Sequence, residues 1–417
     1  MPIDRDKFRH LVEGHLVPLF SGAALEDGFS HSTTRKATVS FRDPCAFNLK
    51  PTHSCDYAVV LKRSQPFASS ASPFVTEHRV CQSFIEVLAS MEAGIGTAYE
   101  QDLLSSFTRR IVVRATCSDP QHERTVLDTI DQLDRWSTKL YEGQPISAAV
   151  GFSTDVAAGP VALAETWRDD YSAVLTNGFD TVFISSPAGQ IQGYEALSIP
   201  DIIPTYAPYR LAPIADWTGD DKLAVVLNRT GEILVIRNKQ LTFARRGGQW
   251  HFLTHEPVIT QMRCPQSNDV RQAVYASCLD ASFARTGACI GILTSGDVAH
   301  LKDVVPKSGD HVLKRESSKT KLIGQIVGNA KFQSLDRRLR QELLAIDGAT
   351  ILNHEGAVLA VGAILKIAGG SAGGGRLAAA VTLSKYGAGI TVSQDGGIRG
   401  YYRCANQKDA QPAFVVM

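Results

Sequence analysis

The sequence predicts an α/β fold in which a mixed central sheet of β-hairpins is flanked by helices, together with a separate amino-terminal α+β domain. Two observations lead to this prediction. Stretches with apolar residues at helical spacing alternate with short β-rich runs along much of the chain. Several of these runs come in pairs around a polar turn that contains glycine, which is the sequence pattern of a β-hairpin.

The length and composition of the chain limit the classes to which it can belong. With 417 residues it is too long for one ordinary core, so two or three domains are expected. Its 44% hydrophobic and 20% charged residues are typical of globular proteins. The net charge of +1 argues against a general nucleic-acid or membrane-surface binder, which would carry a strong basic excess.

The cysteines and the apolar runs bear on the compartment. The eight cysteines include no CxxC pair, and the start of the chain lacks the basic and apolar regions of a secretory signal. No run of about 18 apolar residues occurs, so no membrane span is expected. These observations favour a cytoplasmic protein with reduced thiols.

The first region, residues 1–150, is expected to form the α+β domain, and its sequence indicates no function. Helical spacing of apolar residues predicts helices, and alternation of apolar with polar residues predicts strands. The predicted helices are Phe8–Phe20, Thr76–Met91 and Glu123–Tyr141, and the predicted strands are Thr38–Phe41, Tyr57–Leu61 and Arg109–Thr116.

Two further regions and a short tail complete the expected organisation. Residues 151–262 are rich in strands, residues 263–403 alternate helices with strands, and residues 404–417 are expected to be a tail. Four hairpins of one form span residues 181–194, 224–237, 349–362 and 389–402, so that two fall in each of the two regions. One interpretation is that the two regions share one sheet. The other is that the repeat is architectural only, because a hairpin carries no chemistry by itself.

A short motif, Asp347-Gly348-Ala349, follows a predicted helix that is capped by Ser334 and ends near Leu344. A carboxylate at such a junction of helix and strand could hold a metal ion or a ribose hydroxyl. Gly348 would let a ligand approach the backbone, because glycine has no Cβ. The alternative is an aspartate that caps its own turn, and spacing alone favours that alternative.

A glycine-rich loop at residues 369–376 ends in Gly373, Gly374, Gly375 and Arg376, and it enters a predicted helix at residues 377–385. Backbone N–H groups and the positive end of the helix dipole favour a phosphate at such a loop. Arg376 would add a charge-assisted contact. The alternative is a flexible linker. A basic stretch around Lys319 would form either a flap over a nucleotide or a solvated loop.

From Asp269 to Arg403, these segments in this order resemble the nucleotide-binding domain of the DisA-type diadenylate cyclases (the DAC, or DisA_N, domain). The resemblance rests on GACIGI at residues 287–292, on the Asp347-Gly348-Ala349 motif and its hairpin, on Leu383-Ser384 and on Val392-Ser393. It implies a DAC-like α/β fold and a nucleotide ligand. It also implies a homo-oligomer, because two domains of that family face each other with one ATP each.

In that family the aspartate of the motif binds magnesium or manganese and helps to activate a ribose hydroxyl, and an Arg-His-Arg motif contacts phosphates. By position, Asp347 corresponds to that aspartate and Arg376 to the first arginine, whereas Leu377 and Ala378 replace the other two residues. With two of the three phosphate contacts absent, the resemblance implies a sensor of a nucleotide or cyclic dinucleotide, as in the degenerate branch of the family.

Two alternatives remain open at the level of the sequence. One is an active cyclase that makes cyclic di-AMP from ATP, with Asp347 as its catalytic and metal-binding residue. The other is a scaffold that binds no ligand. For the sensor we expect one pocket, lined by a set of residues from the motif, the loop and the end of the last helix: Asp347, Gly348, Ala349, Gly373, Gly374, Gly375, Arg376 and Ser384.

Overall fold

The chain divides into two compact units, Met1–Thr254 and His255–Met417. The computed structural model describes residues 3–31, 38–68, 75–117, 119–155, 159–294, 298–367, 374–402, 410 and 412–417. Both units contain helices and a mixed sheet, which has parallel and antiparallel strand pairs. The expected α/β class is therefore confirmed. No helix in these ranges has both the length and the apolar character needed to cross a membrane.

The amino-terminal part of the first unit combines an antiparallel five-stranded sheet with helices. Thr76 caps the second of these helices by accepting a hydrogen bond from the Arg79 backbone, and Asp119 caps the fifth in the same way from His122. The elements are α1 (Arg5–Leu11), β1 (Ala24–Leu25), β2 (Ser30–His31), β3 (Val39–Asp43), β4 (Ala46–Leu49), β5 (Tyr57–Lys62), α2 (Glu77–Met91), α3 (Glu100–Ser105), α4 (Phe107–Thr116), α5 (Pro120–Ser137), β6 (Leu140–Tyr141) and β7 (Gln144–Pro145).

The rest of the first unit is built on an eight-stranded mixed sheet. Its elements are β8 (Ala148–Phe152), β9 (Val161–Ala162), α6 (Leu163–Thr166), β10 (Thr181–Ser185), β11 (Gln190–Ala196), α7 (Ala212–Trp217), β12 (Leu223–Leu227), β13 (Ile233–Arg237), β14 (Gln240–Arg246) and β15 (Gln249–Phe252). The strand order is β15-β14-β13-β12-β8-β10-β11-β9. The pair of β8 with β10 is parallel, and the hairpins β10–β11 and β12–β13 are those expected from the sequence.

One hydrophobic core of the first unit contains residues from the amino-terminal part and from the eight-stranded sheet. It contains Phe84 of α2, Phe107 of α4, Trp136 of α5 and Val225 of β12, all of which are buried. The boundary expected between residues 150 and 151 falls inside β8, so the structure does not separate two domains there. Apolar side chains from both regions thus pack together in one core.

The stretch Arg109–Thr116 is helical as part of α4, and the prediction of a strand there is wrong. Its alternation of apolar and polar residues is short, and Val112 and Val113 are buried as well as Ile111. α4 packs against both α2 and α5, so adjacent residues of the helix find apolar partners on two sides. A short alternating run cannot distinguish this packing from a half-buried strand.

The second unit is built on a six-stranded mixed sheet with the order β18-β17-β16-β19-β20-β21. Its elements are α8 (Glu256–Gln261), α9 (Asn268–Ala284), β16 (Ala288–Leu293), α10 (Leu301–Val304), α11 (Ser318–Val327), α12 (Arg337–Ala345), β17 (Ala349–Asn353), β18 (Val358–Ala363), α13 (Gly375–Leu383), β19 (Gly387–Val392), β20 (Ile398–Tyr402) and β21 (Pro412–Val416). β16 is parallel to β17 and antiparallel to β19. The cap of α12 is Asp336, not Ser334 as the sequence suggested.

Two further expectations about organisation are corrected by the sheets. The four hairpins do not share one sheet, because two belong to the eight-stranded sheet and two to the six-stranded sheet. The end of the chain is not simply a tail, because β21 pairs with β20 and Phe414 is fully buried. Gly400 of β20 makes this possible, since a Cβ there would collide with the Phe414 ring.

Candidate functional site

The predicted site lies at the end of the second unit's sheet where β16 and β17 begin. These strands are parallel, with Ile290 paired to Thr350 and Gly291 to Ile351. Continuing this register by three residues toward the amino ends places Asp347 beside Gly287. The Asp347 side chain is exposed, so its carboxylate is accessible to a ligand at this end of the sheet.

Arg376 reaches the same end of the sheet from the first turn of α13. A Cβ built on Gly287 would lie 2.6 Å from Nη1 of Arg376 and 3.3 Å from the Val392 carbonyl oxygen. The guanidinium therefore rests against the start of β16, in space that only a glycine leaves open. The side chain is half-buried, and among the residues that the structure describes no carboxylate pairs with it.

The charge of Arg376 also reaches the first residues of β16. Burial raises the pKa of the Cys289 thiol to about 12, and the nearby Arg376 guanidinium opposes that shift. The thiol is therefore protonated at neutral pH and cannot act as a counter-ion for the arginine. This leaves a half-buried cation that an anionic ligand could pair with.

Gly348 has a structural reason to be glycine. Its φ of +109° lies in the left-handed region, and a Cβ there would come 2.6 Å from the Gly362 carbonyl carbon and 2.9 Å from the Ala363 backbone nitrogen. The side of Gly348 on which a Cβ would lie thus faces β18 and is occupied by the backbone of that strand. Ala349 is buried and begins β17. Gly348 is partly exposed, whereas the buried Ala349 offers no surface to a ligand.

The glycine-rich loop is described only from Gly374 onward, and Gly373 lies outside the described residues. Gly374 is the N-cap of α13, has a φ of +87° and makes no side-chain cap, because it has no side chain. Gly374 and Gly375 are exposed, and no atom of the described residues lies within 4 Å of a Cβ built on either. The first turn of α13 is thus exposed, as backbone recognition of a phosphate requires.

Ser384 lies at the opposite end of α13 from Arg376. It is the C-cap of α13, 2% exposed, and its hydroxyl donates to the Val381 carbonyl oxygen at 2.8 Å. At about 1.5 Å per residue it stands roughly 12 Å along the helix from Arg376. That Ser384 lines the pocket stays a prediction, and its place at the C-cap of α13 separates it from Arg376 by the length of that helix.

Lys319 is a cation near Asp347 for which the sequence suggested only a flap or a solvated loop. Its ammonium group donates to the Gly362 carbonyl oxygen at 2.9 Å and pairs with the buried carboxylate of Asp310. A Cβ on Gly362 would in turn lie 3.0 Å from the Asp347 carbonyl oxygen. Lys319 lies on α11, and its contacts hold its ammonium group close to the turn that contains Asp347. This position depends on the tertiary contact with β18, which the sequence does not show.

The metal suggested by the resemblance would depend on the nucleotide. Among the described residues, no group of three or more His, Cys, Asp or Glu side chains is arranged to hold a metal ion. Asp347 is a single exposed carboxylate, which fits a magnesium or manganese ion only if nucleotide phosphates supply further ligands. The protein by itself presents no complete metal centre in the described ranges.

Comparisons with known proteins leave the family open. No protein-family model matches the chain, and no curated protein matches it. Fourteen chains of solved structures match. One of them is a double cysteine mutant of DacA from Staphylococcus aureus, which is 13% identical, with a TM-score of 0.23, over 38% of this chain and 97% of that chain. A likeness this weak carries no conclusion about the site.

Proposed function

We propose that the second unit binds a nucleotide or cyclic dinucleotide and acts as a sensor of it. The observation that carries the proposal is the Arg376 guanidinium, half-buried against Gly287 and without a carboxylate partner in the described part of the chain. A cation held in this way is available to an anion, and the open first turn of α13 adds backbone donors beside it.

Asp347 and Lys319 supply the remaining contacts of the proposed site. The exposed carboxylate of Asp347 suits a ribose hydroxyl, or a metal ion that the phosphates also hold. Lys319 adds positive charge near the turn, although its pairing with Asp310 offsets part of that charge. Phosphate recognition thus depends mainly on Arg376, because Leu377 and Ala378 add no charge.

The test is calorimetry on the full chain with ATP, ADP, AMP, cyclic di-AMP and inorganic triphosphate. A hydrogen bond to a charged group contributes about 1.5–3 kcal/mol, so Arg376→Ala should weaken nucleotide affinity by roughly ten- to a hundredfold. Arg399→Ala is the matched control, because Arg399 is an exposed arginine of the same unit on β20. Equal affinity of the wild type and Arg376→Ala would refute the proposal, and so would binding of nothing in the panel.

A further inference from the structure

The two units are built on the same arrangement of six strands. In the first unit the order is β14-β13-β12-β8-β10-β11, and in the second it is β21-β20-β19-β16-β17-β18. In both, the central strand is parallel to the first strand of one hairpin and antiparallel to the first strand of the other. The direction of every shared strand pair is therefore the same.

The correspondence extends to single residues of the central strands. Each central strand has a glycine that pairs with an isoleucine of the parallel neighbour and with a small residue of the antiparallel neighbour. The two sets are Gly151 with Ile184 and Ala224, and Gly291 with Ile351 and Gly389. Chance agreement in strand order would not also match the register.

These glycines have the same structural role in both units, which is to leave space for the end of a helix. A Cβ on Gly151 would collide with the Trp217 ring, and a Cβ on Gly291 would lie 2.7 Å from a methyl carbon of Leu383. Trp217 is the last residue of α7 and Leu383 the last of α13, and each helix leads into the antiparallel neighbour. In both units, therefore, the end of the equivalent helix packs on the equivalent glycine of the central strand.

Sequence identity appears at the start of these helices once they are aligned in this way. Seven residues before Trp217 and Leu383 stand the triplets Arg-Leu-Ala at 210–212 and Arg-Leu-Ala at 376–378. The residues after the helices, Thr218 and Ser384, are both buried. The hydroxyl of Thr218 donates to Ala215 at 2.7 Å and that of Ser384 to Val381 at 2.8 Å, each three residues back.

The hairpin turns agree as well. Five residues after Ile184 and Ile351 come Gly189 and Gly356, with φ of +85° and +89°. The second hairpins turn at Gly231 and Gly396, with φ of +75° and +93°, each seven residues after the small residue that pairs with the central glycine. By the same alignment, Asp180 corresponds to Asp347.

The first unit differs at the end of the sheet where the proposed site lies in the second. There Thr176 is buried, and its hydroxyl accepts a hydrogen bond from the Ala149 backbone at 2.9 Å. A Cβ on Gly178 would lie 2.6 Å from the Leu227 carbonyl oxygen and 3.2 Å from the Ala148 backbone nitrogen. The segment Thr176–Gly178 thus covers the start of β8 and the end of β12.

The same place in the second unit holds the arginine. Leu227 corresponds to Val392, and the Val392 carbonyl oxygen borders the space that the Arg376 guanidinium enters. In the first unit this space is taken by the chain itself, and Arg210 is exposed. Asn177 stabilises the segment, since its amide donates to the Asp180 carboxylate at 2.5 Å and its oxygen accepts from three backbone nitrogens.

We infer that the chain contains two copies of one fold, and that the segment Thr176–Asp180 seals the first copy at the end where the second receives a ligand. The chain then binds one nucleotide, at Arg376 and not at Arg210. This stoichiometry rests on the proposed function, whereas the seal does not, because it consists of contacts within the first unit.

Calorimetry of the full chain with the nucleotide panel tests the stoichiometry. We expect one ligand per chain, affinity weakened roughly ten- to a hundredfold in Arg376→Ala and unchanged affinity in Arg210→Ala. Two ligands per chain, one of them lost in Arg210→Ala, would overturn the seal and leave the proposed function standing. One ligand that is lost only in Arg210→Ala would overturn both.

Hydrogen exchange of the ligand-free chain, measured by mass spectrometry, tests the seal without any ligand. The amides of Ala149, Asn177 and Thr181 donate within the seal and should exchange slowly. Asn177→Ala should accelerate exchange in the segment and leave binding at Arg376 unchanged. If the wild type binds no nucleotide, the proposed function fails and exchange alone decides the seal. Exchange as fast as in an unstructured peptide would overturn it.

Discussion

At the scale of single residues, Gly287 and Arg376 belong together, because the glycine leaves the space in which the guanidinium lies. The guanidinium occupies space beside the Gly287 Cα, so the glycine sets where the charge lies even though it offers no functional group. The φ of Gly287, +64°, is also one that residues with a side chain rarely adopt. Replacement of Gly287 should therefore affect both the backbone and the position of the cation.

We expect Gly287→Ala to weaken nucleotide affinity several-fold to tenfold and to lower the free energy of unfolding by about 1 kcal/mol. The affinity falls because the new methyl group pushes the Arg376 guanidinium away from the start of β16. Calorimetry measures the affinity, and denaturant unfolding measures the stability. Gly328→Ala is the matched control, because Gly328 has a φ of +57° and open space around it. The explanation fails if both variants bind nucleotide as the wild type does.

At the scale of elements, the two units share a close contact between the central strand and a helix. That helix is the one that precedes the antiparallel neighbour of the central strand. β8 receives the end of α7 at Gly151, and β16 receives the end of α13 at Gly291. In both cases the helix approaches so closely that only a residue without a side chain fits. This contact thereby sets how closely the end of each helix lies against its sheet.

Gly151→Ala and Gly291→Ala should each lower the free energy of unfolding by about 1–3 kcal/mol, because overpacking forces the helix end away from the strand. Gly193→Ala is the control, since Gly193 also lies in a strand but nothing is within 4 Å of a Cβ built on it. Thermal or denaturant unfolding of the full chain gives the comparison. Indistinguishable stabilities for all three variants would contradict the close packing described for both units.

At the scale of the whole molecule, the two units differ at the end of the sheet where the proposed site lies. The second unit has the exposed Asp347 and the half-buried Arg376 there, and in the first unit the segment Thr176–Gly178 covers the corresponding end. Phosphoryl transfer depends on positioning and on charge stabilisation of the transferred group. In the proposed site that stabilisation would come mainly from Arg376, because Leu377 and Ala378 carry no charge and Lys319 is paired with Asp310.

We therefore expect little or no cyclic di-AMP from the purified chain with ATP and magnesium or manganese. Loss of a single cationic contact to a transferring phosphate costs on the order of hundreds to thousands-fold in rate, and two such contacts are absent. Mass spectrometry of the reaction products measures the outcome. Robust synthesis that Asp347→Ala abolishes would replace the sensor with an active cyclase.

The sequence by itself determined the class of fold, the four hairpins and the helix that precedes the Asp347-Gly348-Ala349 motif. These features depend on local periodicity and on turn chemistry. It also indicated Asp347 and Arg376, because a motif is a pattern along the chain. It could not determine that α4 is a helix, because burial on both sides makes a short amphipathic run ambiguous. The sequence also could not predict the position of Lys319, because its side chain contacts Gly362 only in the folded chain.

Only the tertiary structure decided which of these residues come together. Ser384 and Arg376 are near in sequence, yet α13 carries them to opposite ends of β16. Gly287 and Arg376 are far apart in sequence, yet they are in contact. The common strand order and register of the two units were equally hidden, because beside them stand only one short identical triplet and a few single identical residues. Register depends on hydrogen bonds between distant segments, and no local pattern encodes such pairings.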